Sequence, residues 1–277
     1  MTRFAFLSGL SRTGSTVLGT LLSQHPSLAP TGTSIVRHLM DYTRRFELGE
    51  SPYFDITDPD SNLWGILRGI LSGAYENETR EIILEKDRGW VSEIDILRNV
   101  LGEEPRIITT VRSIPEIISS FVLLSRRNSA LSQIDKEVHD ANRPLNVWSL
   151  SRVIWEKYIY VDWKNLKTAF ENNQGNLLLL DYDDIIHDAK KTIELICIYL
   201  DIPVFAPSTD NLVNPNPEND SVYGIKGLHT VHKKLERVSP PAWEVLGDEC
   251  YEFWASKELE FWQGKNLEIG TDKHARS

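Results

Sequence analysis

The sequence has few cysteines and no excess of basic residues. Only two of its 277 residues are cysteine, Cys197 and Cys250, and their separation fits neither a metal-ligand nor a redox motif. We therefore expect reduced, buried thiols in a cytoplasmic protein. Lys and Arg number 30 against 40 Asp and Glu, which gives a formal net charge of −10. Since nucleic-acid-binding proteins show the opposite imbalance, we predict no nucleic-acid partner, and an anionic ligand would need a locally basic pocket.

Long apolar runs are also missing. No stretch approaches the roughly 20 apolar residues that a membrane-spanning helix needs, so we predict no membrane span. The first candidate strand begins at Phe4, which leaves no room for a secretory signal peptide and agrees with a cytoplasmic location. With 41% hydrophobic and 25% charged residues, the chain has the composition of an ordinary globular protein.

The sequence does contain an alternation of short apolar runs and amphipathic segments. Strands are predicted at 4–8, 81–85, 106–111 and 176–182, and helices from about 14, 93–100, 115–124, about 144–172 and 190–200. Strands that alternate with helices predict an α/β fold with a central parallel sheet flanked by helices. Because no linker is visible, we predict a single domain over residues 1–277. Irregular segments at about 128–143 and 205–240 are candidate lids over a site.

The stretch GLSRTGST, residues 9–16, directly follows the first strand. Its glycine spacing is nearly that of a nucleotide-triphosphate P-loop, G-x-x-x-x-G-K-[ST], but Ser15 stands in place of the lysine. Backbone N–H groups at the start of a helix, with the hydroxyls of Ser15 and Thr16, suit a phosphate. The alternative is an ordinary strand-to-helix turn with polar caps. The missing lysine argues against ATP or GTP hydrolysis, because that side chain reaches the β- and γ-phosphates.

The segment FLSGLSRTGSTVLGTLLSQHP resembles the opening of the sulfotransferase family, whose 5′-phosphosulfate loop reads [PS]-[KR]-[ST]-G-[ST]-[ST]. The matching residues are Ser11, Arg12, Thr13, Gly14, Ser15 and Thr16. The resemblance implies a P-loop nucleotide-kinase-like fold and binding of 3′-phosphoadenosine 5′-phosphosulfate (PAPS) by this loop without a metal. It also implies that Arg12 stabilises the charge on the leaving phosphate, so that the cation lies inside the loop.

Two segments in the middle of the chain extend this resemblance. In RIITTVRSIPEIISSF, Arg112 and Ser120 match the family pair that binds the 3′-phosphate of PAPS. The strand NLLLLDYDDI resembles a family region that would bring Tyr182 near the adenine. Asp183, next in the chain, is predicted to cap a helix.

A late segment, YGIKGLHTVHKKLERV, resembles the family loop G-L-H-x-V-R-x-K, which folds over PAPS. The residues that the resemblance assigns to nucleotide binding are His229, Lys233 and Lys234, while His232 replaces the usual arginine. Basic side chains on a glycine-hinged loop suit a bisphosphate in an acidic protein. A solvated basic turn is the alternative. With this segment the resemblance runs from Phe4 to Trp262.

One expected feature is absent. Sulfuryl transfer needs a base that takes the proton of the acceptor hydroxyl, and many relatives have a glutamate where this chain reads PTGTS (30–34). The remaining candidates are Asp87 with Lys86 as a cationic helper, both at a strand end, His38 on the helix after PTGTS, and His229 on the late loop. A structural salt bridge between Asp87 and Arg88 is the alternative for that aspartate.

We therefore predict a PAPS-dependent sulfotransferase that moves a sulfuryl group to a hydroxyl or amine of a small-molecule or glycan acceptor, without a metal. Aromatic residues after the first helix are candidates for the acceptor pocket: Tyr42, Phe46, Tyr53, Phe54 and Trp64. Two alternatives stay open. One is a small-molecule kinase that uses ATP and magnesium, and the other is a non-catalytic nucleotide-binding module that has kept this fold and lost its base.

Overall fold

A five-stranded parallel sheet organises the computed structural model. The described residues are 2–49, 59–128, 132–172, 177–257 and 259–263. The strands are β1 (Arg3–Gly9), β2 (Leu28–Thr33), β3 (Ile82–Lys86), β4 (Arg106–Val111) and β5 (Leu177–Asp181). They pair in the order β2-β3-β1-β4-β5, so β1 is central and β2 and β5 are the edges. The predicted α/β fold with a central parallel sheet is confirmed.

Helices fill the segments between the strands. They are α1 (Ser15–Leu22), α2 (Val36–Gly49), α3 (Pro59–Gly73), α4 (Ile94–Leu101), α5 (Ile114–Arg127), α6 (Gln133–Asp140), α7 (Val147–Ile154), α8 (Tyr160–Asn172), α9 (Tyr182–His187), α10 (Ala189–Leu200), α11 (Ala242–Leu246) and α12 (Asp248–Ala255). A π-helical turn, Trp155–Ile159, joins α7 to α8, where the sequence predicted one long helix. Among the described helices, none is long and apolar enough to cross a bilayer.

Helices cover both faces of the sheet, and the side chains of each strand alternate between the two faces. On β1, Phe6 belongs to a large hydrophobic cluster that α2 to α8, α11 and α12 share, while Ala5 and Leu7 belong to a second cluster with α1 and α10. Parallel strands covered on both faces read as unbroken apolar runs. This is why four of the five strands could be predicted from hydrophobicity alone.

The strand that the sequence did not predict is β2, which reads LAPTGT. Pro30 lacks an N–H donor and glycine is rare in strands, so the segment reads as a loop. β2 is an edge strand, where one side needs no ladder partner, and this position tolerates proline. Part of the first candidate lid also differs from its prediction, because residues 133–140 form α6 and are not irregular.

Candidate active site

The loop after β1 lies at the centre of the carboxyl edge of the sheet, where parallel α/β proteins bind ligands. It passes through left-handed backbone at Arg12 (φ 60°) and Gly14 (φ 85°) before α1 begins at Ser15. A Cβ on Gly14 would lie 3.0 Å from the Tyr182 ring, so this position requires glycine for space as well as for conformation. No side chain caps the N-terminus of α1, and its N–H groups therefore suit an anion.

The predicted phosphate loop borders a cavity of about 400 Å³. Ser11, Arg12, Gly14, Ser15 and Thr16 line it, as do Arg112, Ser120, Tyr182, Lys86, His229 and Lys234. Thr13 points the other way and is fully buried. Its Oγ1 donates to the Leu10 carbonyl (2.7 Å) and lies 2.6 Å from Thr110 Oγ1. The structure thus brings most of the predicted residues together, and Thr13 holds the loop from beneath.

Arg12 joins three segments of the site. Its Nε donates to Ser120 Oγ on α5 (3.1 Å), and its Nη1 donates to the carbonyl of Leu228 on the late segment. Burial, with a contribution from the nearby charge of Arg112, lowers the pKa of Arg12 to about 10. The guanidinium is therefore still charged at neutral pH, and its desolvation makes it a strong electrostatic partner for an anion.

Arg112 lies directly after β4 and is 5% exposed. Its guanidinium carbon is 4.0 Å from the centre of the Tyr182 ring, a cation–π contact, and its Nε donates to Glu116 (2.9 Å). Arg237 donates to the same carboxylate (2.6 and 3.0 Å) and to Asp183. Two arginines thus share Glu116, and Arg237 also pairs with Asp183, so the two positive and two negative charges of this group balance. Sequence reasoning missed Glu116 and Arg237, which have no motif of their own.

The side chain of Lys86 places an amine beside the phosphate loop, which has no lysine of its own. It extends from the end of β3, beside β1, and its Nζ donates to Thr16 Oγ1 (3.0 Å) and to Glu218 Oε1 (2.9 Å). Burial lowers the pKa of Lys86, although the charge of Glu218 opposes this effect. The amine therefore lies at the end of the phosphate loop, but it comes from a different strand.

A chain of charged side chains continues from Lys86 into the late segment. Glu218 also accepts from the backbone N–H of Thr33 (3.2 Å), and its Oε2 lies 3.3 Å from His229 Nε2. The other ring nitrogen, Nδ1, lies 2.7 Å from Asp220. Burial lowers the pKa of His229, while the hydrogen bond to Asp220 and the charge of Glu218 oppose this shift. Glu218 and Asp220 come from NPNPENDS, where the sequence signalled only a loop.

Asp87 and His38 lie away from the cavity lining. Asp87 caps the turn that follows it by accepting from the N–H of Gly89 (2.7 Å), and it forms an ion pair with Arg37. The proposed partner Arg88 pairs with Asp162 (2.9 Å) instead. His38 is exposed, with its Nε2 3.5 Å from Asp87. The Asp87 carboxylate thus contacts Arg37 and His38. Neither the Asp87 nor the His38 side chain contacts a side chain of the phosphate loop.

Other predicted residues also fall outside the cavity lining. Lys233 contributes its carbonyl to a hydrogen bond with Leu212 N–H (2.7 Å). Asp183 does not cap α9, because Asp181 accepts from its N–H (2.9 Å) and is the cap. Of the aromatic candidates, Tyr42 is exposed and Trp64 packs against the core; Tyr53, Phe54 and the Phe46 side chain lie outside the described residues. Within the described part of the chain, no group of three or more His, Cys, Asp or Glu side chains is placed to hold a metal ion.

Comparison with known proteins shows the family of this chain and its fold. Residues 5–207 match the family model described as the sulfotransferase family. The chain belongs to the sulfotransferase family. Among the curated proteins, none matches this sulfotransferase-family sequence.

Two solved structures show the same fold. The sulfotransferase domain from the curacin biosynthetic pathway is 16% identical, with a TM-score of 0.56, and the alignment covers 92% of this chain and 97% of that one. Mouse sulfotransferase SULT7A1, solved in complex with PAP, is also 16% identical, with a TM-score of 0.50 and coverage of 96% and 86%. The P-loop-like sulfotransferase fold is thereby confirmed for this chain. The late segment beyond residue 207 lies outside the family match, although it contributes His229 to the cavity lining and Glu218 to the ion pair with Lys86.

Proposed function

We propose that this sulfotransferase-family protein transfers a sulfuryl group from PAPS to a hydroxyl or amine of a small-molecule or glycan acceptor. One observation supports this above all. The buried Arg112 and the half-buried Arg12 border one cavity at the open N-terminus of α1, in a chain whose net charge is −10. Arg112 pairs with Glu116, whereas the hydrogen bonds of Arg12 go to the neutral Ser120 hydroxyl and the Leu228 carbonyl. Since a desolvated cation is costly without a negative partner, an anionic ligand would stabilise Arg12.

The residues present fit the two ends of PAPS. The loop amides and Arg12 would hold the 5′-phosphosulfate, and Arg112 with Ser120 would hold the 3′-phosphate. The Arg112 guanidinium lies over the Tyr182 ring, and Gly14 lies close to the edge of that ring. The adenine would therefore lie beside Tyr182. The mouse relative solved with PAP has the same fold, and it supports a bisphosphate ligand for this chain.

Bound PAPS would supply an activated sulfuryl group, and the chain would supply charge and a proton acceptor. The Arg12 guanidinium is preorganised to stabilise negative charge on the leaving phosphate. We assign the base to His229. With Nδ1–H donated to Asp220, Nε2 carries the lone pair that would take a proton from the acceptor. The acceptor hydroxyl would displace Glu218 Oε2, which lies 3.3 Å from Nε2 in this structure. The two carboxylates would stabilise the imidazolium that forms. Asp87, already bound to Arg37 and Gly89, is the weaker candidate.

The two alternatives make different predictions about ligands. A kinase would bind ATP with magnesium, and a non-catalytic module would bind the nucleotide without turnover. The ion pair between Lys86 and Glu218, together with the His229–Asp220 contact, favours a site equipped for proton transfer. The test is calorimetry with adenosine 3′,5′-bisphosphate, AMP and Mg·ATP, the first two in EDTA, followed by turnover of labelled PAPS.

The bisphosphate is expected to bind more tightly than AMP by about 10-fold or more, because each charge-assisted hydrogen bond to the extra phosphate contributes about 1.5–3 kcal/mol. Equal affinities for the two would remove the 3′-phosphate site from the proposal. Binding of Mg·ATP alone would support the kinase.

A further inference from the structure

One part of the cavity wall contains two buried polar atoms that lack a hydrogen bond of good geometry. They are Tyr158 Oη and Glu137 Oε2, and neither has a hydrogen-bond partner of acceptable geometry among the described residues. Both residues line the cavity. The other carboxylate oxygen, Glu137 Oε1, accepts from Gln133 Nε2 (3.1 Å). The two side chains lie against each other without a hydrogen bond of good geometry, and no ion pair with Glu137 is formed among the described residues. Since a poorly satisfied buried acceptor destabilises a fold by about 1–3 kcal/mol, a ligand group would complete the bonding of these atoms.

The backbone around Tyr158 is built to hold this side chain at the cavity. Tyr158 belongs to the π-helical turn Trp155–Ile159, which interrupts an otherwise α-helical segment, and such turns occur frequently at functional sites. Ser11 of the phosphate loop donates to the Tyr158 carbonyl (2.9 Å), and the Phe121 ring lies 5.2 Å from the Tyr158 ring. The turn is thus tied directly to the loop that would hold the sulfuryl donor.

This wall adjoins the segment that contains the proposed base. The N–H of Gln133, one turn before Glu137, donates to the carbonyl of Gly224 (3.3 Å). The neighbouring Tyr223 ring lies 5.5 Å from the His229 ring. Since the acceptor must approach the sulfuryl group beside the base, the Glu137 wall is on the acceptor side.

The chemistry of the two atoms selects the kind of acceptor. Burial raises the pKa of Tyr158, and the charge of the Glu137 carboxylate and its close side-chain contact with the phenol raise it further. The phenol therefore stays protonated and can donate or accept. The unpaired Glu137 oxygen can only accept from an N–H or O–H group, and a cation satisfies its charge as well. An anionic group at this position would be repelled.

We propose that Glu137 and Tyr158 form an acceptor-binding subsite that selects acceptors bearing a protonated amine in addition to the group that receives the sulfuryl. The inference rests on the proposed function, because it assigns the acceptor end of the same cavity. The amine lies against Glu137 Oε2, and the Tyr158 hydroxyl bonds a polar atom beside it. Neutral hydroxyl acceptors satisfy the hydrogen bond but leave the carboxylate charge unpaired, so they bind more weakly.

The test compares two phenols that differ in one charge, 4-(2-aminoethyl)phenol and 4-ethylphenol, as sulfuryl acceptors with labelled PAPS. The wild-type protein is expected to prefer the amine in kcat/KM by about 10-fold or more, the size of one charged hydrogen bond. Glu137→Gln, which keeps the shape, should abolish this preference without weakening bisphosphate binding. Tyr158→Phe should reduce it less. Glu171→Gln, which removes a carboxylate from an exposed position on α8, is the matched control and should change nothing.

Binding provides a second measurement if neither phenol is turned over. The melting temperature of the protein saturated with adenosine 3′,5′-bisphosphate should rise more with the amine than with 4-ethylphenol, and this difference should vanish in Glu137→Gln. Equal responses of wild type and Glu137→Gln would overturn the subsite, whereas failure to bind the bisphosphate would overturn the proposed function instead. Glu137→Gln should also be at least as stable as wild type without ligand, since it removes an unpaired buried charge. A clear loss of stability would mean that Glu137 has a structural role.

Discussion

The first loop (residues 11–16) and the late segment (205–240) both contribute residues to the cavity lining, but they are held in place by different interactions. The loop follows a central strand and leads into a helix, so its position is set by the sheet and by its own backbone. The late segment has little regular structure beyond the short turn Asp220–Tyr223 and one bridge between Asp210 and Lys234. It is held by side chains, for example by Glu218 on Lys86 and by Arg12 on the Leu228 carbonyl.

The difference shows which part of the site depends on the ligand. Arg12 and Lys86 hold the late segment through Leu228 and Glu218, and both also line the ligand cavity. Lys86 and Arg12 therefore cannot bind a ligand fully without changing how this segment is held. Thr13, which holds the first loop, is turned away from the cavity. We infer that ligand binding reorganises the late segment and leaves the first loop in place.

The largest expected effect tests whether the late segment takes part in the chemistry. His229→Asn is expected to lower kcat by about 10²–10⁴-fold, the usual contribution of a general base. Bisphosphate affinity, measured by calorimetry, should stay near the wild-type value. His38→Asn is the control, because this exposed histidine lies outside the cavity lining.

Asp87→Asn sharpens the same comparison. This carboxylate caps a turn and pairs with Arg37, so the variant should lose stability by thermal melting while its kcat changes little. A normal kcat in His229→Asn together with a large loss of kcat in Asp87→Asn would identify Asp87, at the end of β3, as the base. The late segment would then have no catalytic role.

The next effect tests the first loop. Arg12→Ala should lower kcat by about 10²–10³-fold, since a preorganised charge that acts on the transition state is lost. Nucleotide affinity should fall much less. Arg12→Lys keeps a cation on the same left-handed backbone but loses the guanidinium contacts to Ser120 and Leu228, and it should retain part of the rate. If Arg12→Ala turned over normally, the loop cation would have no chemical role.

The same contrast explains what could be predicted from the sequence. Four buried strands and the loop at 11–16 were visible, because apolar runs and glycine spacing are local signals. Glu218 and Asp220 were not, since their roles depend on contacts with residues such as Lys86, 132 positions away. Tyr158 gave no signal either, because hydrophobic periodicity does not reveal a π-helical turn. The edge strand β2 was hidden by Pro30, whose cost disappears at a sheet edge.

A smaller effect concerns the far end of the first region. Arg112→Ala should reduce the preference for adenosine 3′,5′-bisphosphate over AMP by about 10- to 100-fold, the equivalent of one or two charged hydrogen bonds. The ratio of dissociation constants from calorimetry measures this preference. Arg126→Ala, an exposed arginine on α5 outside the cavity lining, should leave the ratio unchanged. An unchanged ratio in Arg112→Ala would place the 3′-phosphate elsewhere.

The smallest expected effect is a shift in the pH dependence of kcat/KM. It distinguishes the role of His229 from that of Glu218, whose side chains lie 3.3 Å apart. Burial lowers the pKa of His229 below the ordinary value of about 6.5, while Asp220 and Glu218 oppose the shift. A base must be unprotonated, so kcat/KM should rise with pH and level off below that value. Stability should follow the same sign: because the unfolded chain binds this proton more readily, stability is complete above about pH 6.5 and declines as the pH falls through the lowered pKa.

Glu218→Gln removes one of the charges that hold the pKa of His229 up and leaves Lys86, which lowers it, unpaired. The acid limb of the kcat/KM profile should therefore move to lower pH while the plateau stays near the wild-type rate. If Glu218 were itself the base, the plateau would instead fall by about 10²-fold or more, with no shift to follow. A movement of the limb to higher pH would contradict both roles, because no loss of negative charge beside an imidazole raises its pKa.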